Sequence, residues 1–222
     1  MPMDEFKKGK QIYKVVKISE MEGDPFSKLD SVPKAHVDCY PWSDVYTPEV
    51  YAQVFYTESR LCVFFKAYEP KITATYLNTN DPVYKDSCVE FFFNPYPEKD
   101  KRYINLEMNP FGTFLIMIGE ERNNRPFITD IDPKIFQIKT SVTPETLDKY
   151  NGKYWTVQYS IPFTFIEKYY GKIEFKSGYR MEANLYKCGD CSHQEHYGCW
   201  NPILIEKPDF HRPDYFGDFI LE

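Results

Sequence analysis

Residues 84–112, YKDSCVEFFFNPYPEKDKRYINLEMNPFG, concentrate the groups in this chain that could do chemistry. Alternation over 88–93 puts Cys88, Glu90 and Phe92 on one face and Val89, Phe91 and Phe93 on the other. Beyond the Pro- and charge-rich turn NPYPEKDK, alternation resumes. Tyr103, Asn105 and Glu107 then face one way, and Ile104, Leu106 and Met108 the other. If the two runs pair as a hairpin, their apolar sets share a core. The opposite face collects Glu90, Phe92, Tyr103, Asn105 and Glu107. Rings beside carboxylates and an amide on a rigid sheet suit a ligand that has both C–H faces and many hydroxyls, and a sugar is such a ligand. The plainer reading is a solvated sheet face with a few tyrosines.

Two further constellations compete for attention. Cys188, Cys191, His193, His196 and Cys199 are five potential zinc donors within twelve residues, too closely spaced for a usual zinc ribbon. Zinc, a disulfide and a plain loop all stay open there, and no metal is expected. Glu90 and Glu107 could be drawn as a glycosidase pair, but no partner group gives either an evident acid or nucleophile role, so no hydrolysis is expected. Gly-rich phosphate loops, serine nucleophile elbows and His-Glu-x-x-His motifs are absent. Haem ligation is disfavoured because Met108 faces inward with no His beside it.

The elements needed to position these groups are strands. The chain has 222 residues, an aromatic share of 18% and more Pro than Gly, with few long helical patterns. Strands are expected at 51–57, 61–68, 71–77, 88–93, 103–108, 113–118, 136–142, 154–161 and 179–186, with a last one at Phe219-Ile220-Leu221. Residues 1–34 read as an edge strand (QIYKVVKI) and a loop of the same domain. Pro162 opens the single helix, FTFIEKYY, and Gly171 closes it. The fold class is therefore all-β: a two-sheet antiparallel β-sandwich with one short helix. Trp42 and Trp155 are expected to pack. Trp200, which follows a loop, is the better candidate for a contact, although packing is favoured for it too.

Net charge is −6 with no basic block, which argues against nucleic-acid and anionic-membrane partners. No apolar run approaches the ~18 residues of a membrane span. The start, MPMDEFKKGKQIY, has no signal-peptide core, so the chain is expected to be cytoplasmic or to have lost a leader. Cys39, Cys62 and Cys88 sit in apolar settings and read as small buried hydrophobes.

Three pieces in this order resemble the family 9 carbohydrate-binding modules: Asp38-x-x-x-Trp42, the DSCVEFFF strand, and the C-terminal PDFHRPDYFGDFILE. The run from Tyr103 to Gly112 and the Ile-Pro-Phe before the helix add to the resemblance, which covers roughly 35–222. It implies a jelly-roll-like sandwich that binds sugars without cleaving them, often at reducing ends, with structural calcium in several members. It also implies a clamp of two tryptophans. Their positions fall here on Tyr84 and Phe210, with His211 beside the second. Glu90 matches a glutamate that bonds ligand hydroxyls, and Asn105, Glu107 and Asn109 lie in the strand that supplies further polar contacts. Micromolar affinity is expected, because each hydroxyl must be withdrawn from water. The competing expectation is a structural or protein-interaction sandwich that has lost its sugar site.

Overall fold

The computed structural model describes residues 9–222. The expectations for the first eight residues lie outside the described residues. Among the described residues twelve strands form: β1 Ile12–Lys17, β2 Ala35–His36, β3 Val50–Tyr56, β4 Arg60–Ala67, β5 Cys88–Asn94, β6 Tyr103–Met108, β7 Phe114–Gly119, β8 Lys139–Thr140, β9 Trp155–Pro162, β10 Arg180–Cys188, β11 Tyr197–Cys199 and β12 Gly217–Leu221. The single α-helix among the described residues, α1, is Phe163–Tyr170, closed at Gly171, whose φ of 76° suits a residue without Cβ. Among the described residues no helix is long and apolar enough to cross a membrane.

The strands follow one continuous path, β7-β6-β5-β10-β12-β1-β3-β4-β9-β8, with β11 on β10 and β2 on β3. This corrects two expectations. The first strand is not at an edge: β1 lies between β12 and β3. Nor is the pairing wholly antiparallel, because β1 runs parallel to both neighbours, with Ile12 opposite Asp218 and Val16 opposite Phe55. The reason is visible in β1 itself. Tyr13 and Val15 are buried, so the strand needs cover that an edge could not give. The mixed sheet curls around one core, which draws Val54, Val63 and Trp155 from one half and Phe91, Leu106 and Phe219 from the other. Removing such side chains from water contributes roughly 1.5–3 kcal/mol each.

One expected strand does not form and another is cut short. Over 71–77 no strand forms, because Asp86 takes the amides of Thr75 (2.9 Å) and Tyr76 (3.1 Å) that a neighbouring strand would otherwise bind. Over 136–142 only Lys139–Thr140 pairs. A single-turn helix at Pro133–Phe136 ends at Gln137 in the left-handed region (φ 51°), which breaks extension.

Candidate functional site

The outer face of β10, β5, β6 and β7 forms the floor of a cavity of about 320 Å³. Registration sets that floor. Glu90 pairs with Tyr186 on one side and Glu107 on the other, and Glu107 pairs with Leu115. Cys188, Glu90, Glu107, Leu115 and Met117 therefore reach the cavity from four adjacent strands.

Three irregular segments build the walls. Tyr84 comes from the single turn Val83–Lys85, and its carbonyl accepts from the Asp190 amide at 3.1 Å, tying the cysteine-rich loop to this wall. The segment after β7 folds back along it, with Ile118 N–H donating to Pro126 O and Ile128 N–H to Ile116 O, so that Arg122, Arg125 and Phe127 face inward. Phe127 is 48% exposed, an unusual state for a large ring. The third wall carries Asp209, Phe210 and His211. Phe210 stacks on Tyr186 at 4.2 Å and 10°, and the Tyr186 hydroxyl donates to its carbonyl. His211 lies over Phe92 at 4.9 Å, with Nδ1 3.0 Å from the Tyr103 hydroxyl.

Burial dominates the electrostatics. Glu90 and Glu107 are only 3% and 4% exposed. Burial pushes the Glu90 carboxyl well above its ordinary range, and Cys188 and Glu107 nearby add to this. Burial likewise lifts Glu107 to about 7, although Arg125 and the Asn105 amide pull the other way. His211 is pushed down to about 2, by burial first and then by Arg125 and Arg122, so its ring is neutral at physiological pH. Glu90 Oε1 accepts from the Cys188 thiol at 2.9 Å. Glu107 Oε1 accepts from Asn105 Nδ2 at 3.0 Å. Glu107 Oε2 is the one buried side-chain polar atom among the described residues that has no hydrogen-bond partner. Arg125 donates from Nη1 to Asn105 Oδ1 (2.7 Å) and from Nε to Arg122 O (3.2 Å). Arg60, Arg102, Arg122, Arg180 and Arg212 each have a carboxylate within 4.0 Å. Arg125 has none among the described residues.

Of the residues singled out from sequence, Tyr84, Glu90, Glu107, Phe210 and His211 line this cavity together. Asn105 is fully buried beneath it and joins Glu107 to Arg125. Asn109 does not line it. Its amide donates to Tyr76 O and Asp86, and its oxygen accepts from Phe111 and Thr113 amides, so it holds the β6–β7 turn. Trp155 is core, donating to Glu69 at 2.6 Å, and Trp200 is buried against Tyr13 and Phe219. Arg125, Phe127, Asp190 and Tyr197 were missed. They sit on loops or a short strand without periodicity, and the one sequence signal was the pair of arginines in RNNRPF.

The five close-spaced metal donors diverge. Cys188 faces the cavity, Cys191 is exposed, and Cys199 exchanges backbone hydrogen bonds with Cys39. His196 is buried 2.8 Å from Lys187 Nζ, which in turn lies 3.3 Å from Glu69. Among the described residues one group of three or more His, Cys, Asp or Glu donors is close enough to share an ion: Cys88, Glu90 and Cys188, whose ligand atoms all lie within 4.8 Å of one another. Two sulfurs make it a poor cage for calcium, which takes oxygen ligands.

Comparison with known proteins gives the family and the fold. The model of the family described as carbohydrate-binding family 9 matches residues 25–221. A candidate carbohydrate-binding protein from Bacteroides uniformis is similar in structure, with a TM-score of 0.81 and 26% identity over 96% of this chain and 100% of that one. A family 9 module from Caldicellulosiruptor kristjanssonii, solved with glucose, shares the fold at a TM-score of 0.61 and 12% identity over 96% of each chain. A family 9 module from the same organism, solved with cellotriose, gives 0.60 and 14%, covering 96% of this chain and 94% of that one. No curated protein matches the sequence.

Proposed function

We propose, from the premise that this chain belongs to carbohydrate-binding family 9, that it binds a saccharide without cleaving it in the cavity over β5, β6, β7 and β10. One observation carries the placement. A buried acceptor without a partner, Glu107 Oε2, and a guanidinium without a carboxylate, Arg125, line the same cavity beneath aromatic rings. A sugar hydroxyl answers both, since it donates to one group and accepts from the other. Tyr84, Phe127 and Phe210 supply apolar surface for a ring's C–H face. Phe127 is the most accessible of the three, whereas Phe210 is 8% exposed with one face already on Tyr186. The stacking surface proposed here is accordingly Tyr84 with Phe127, and Phe210 closes the end wall. The glucose and cellotriose complexes of family 9 modules from Caldicellulosiruptor kristjanssonii support a sugar as the ligand class. Rings smaller than indole and an open cavity put the affinity in the micromolar range, roughly −6 to −8 kcal/mol.

The test is a glycan panel followed by calorimetry on every hit. Tyr84→Ala should cost on the order of 1 kcal/mol through lost stacking. Glu107→Ala should cost about 1.5–3 kcal/mol through a lost charge-assisted bond. A hit indifferent to both substitutions puts the site elsewhere. Silence across mono-, oligo- and polysaccharides favours the interaction-module reading, and turnover abolished by Glu90→Gln would make the chain an enzyme.

A further inference from the structure

Trp42 packs, as expected from sequence, against the cluster that holds Phe210 and Tyr186, yet it stays half-buried and lines two cavities that lead away from the first. The cavity over β5 and β6 shares Tyr197 and Pro208 with a neighbour of about 310 Å³. That neighbour shares Trp42, Ser43 and Asp44 with a third cavity of about 510 Å³. Rings run along the series without a gap. Phe210, in the wall of the first cavity, lies 6.1 Å from Tyr197 and 6.1 Å from Trp42. The track is held rigidly. Trp42 Nε1 donates to Ile205 O at 2.8 Å, and Tyr197 N–H donates to Ser43 Oγ at 3.1 Å, fastening the Trp42 loop to β11. Exposed carboxylates of Asp44 and Glu195 line it and can accept hydroxyl protons.

We propose that these cavities are further subsites of one groove, and that the ligand is an oligosaccharide running from the first cavity across Tyr197 and Pro208 onto the Trp42 indole. This rests on the reading of the first cavity as a saccharide site and adds chain length to it. Rings and carboxylates shared between adjoining cavities suit successive pyranose units, each presenting a C–H face and hydroxyls. A monosaccharide would use the first cavity alone.

Calorimetric titration of the full chain with gluco-, xylo-, manno- and galacto-oligosaccharides of one to six rings tests this. The expected result is affinity that rises about tenfold or more between one ring and three or four in at least one series. Trp42→Ala should return the longer ligands to the single-ring affinity and leave single-ring binding unchanged. Asp44→Ala, at an exposed side chain that folding does not need, should weaken only the longer ligands. Affinity independent of length, or length dependence that survives both substitutions, overturns the groove while leaving the first cavity's role intact. No binding at any length overturns both.

Discussion

Glu107 sits in the cavity floor with one carboxylate oxygen accepting from Asn105 and the other without a partner. Its raised pKa makes the fold pay for ionisation. Below the unfolded value near 4.5 both states hold the proton, and the group contributes no difference. Between there and about 7 the unfolded chain has lost its proton while the folded chain keeps it. Stability therefore falls as pH rises through this window and levels off above it. Glu107→Gln should raise the unfolding free energy at pH 8 by about 1 kcal/mol or more and change it little at pH 4. Chemical denaturation at both pH values checks this, and an equal effect at the two would contradict it. Strand alternation showed Glu90, Asn105 and Glu107 on one face. It could not show that Arg125 would arrive from a loop to meet them, because loop residues carry no periodicity. Asn109, which only the family resemblance had grouped with them, is held instead by the turn, where its oxygen accepts from the Phe111 and Thr113 amides.

At the scale of elements, β1 is the seam of the sheet. Its first half pairs with β12 and its second with β3. Between the short β2 pairing and the β1 pairing on β3, the Val54 amide has no strand partner, and the Tyr13 hydroxyl fills that gap at 2.9 Å while donating to Pro33 O at 2.6 Å. Tyr13→Phe should leave a buried N–H unsatisfied and cost about 1–3 kcal/mol. It should shift the urea midpoint without changing the slope of the transition. An unchanged midpoint would mean that the seam does not depend on this bond. The antiparallel hairpins were legible because sequence neighbours pair and alternation marks the buried face. The placement of β1 was not, because its partners lie some 40 and 200 residues away and nothing in IYKVVK encodes a parallel direction. The failed strand at 71–77 has the same character: a side chain from elsewhere, Asp86, took its amides.

For the whole molecule, the curled sheet builds one core from the inner faces of both halves and turns the outer face of β5, β6, β7 and β10 toward a walled cavity. Membership of carbohydrate-binding family 9 supports a sugar as the ligand, and the proposal above assigns it to that face, where Tyr84, Phe127 and Phe210 line the cavity. The measurement that tests this most directly is amide chemical-shift mapping of the labelled chain during titration with the tightest-binding glycan of the panel. The account predicts saturable shifts confined to the segments around Tyr84, Glu90, Glu107, residues 122–127, Asp190 and residues 208–211, with β4 and β9 unmoved. Shifts centred on β4 and β9, or none with any glycan, would contradict it.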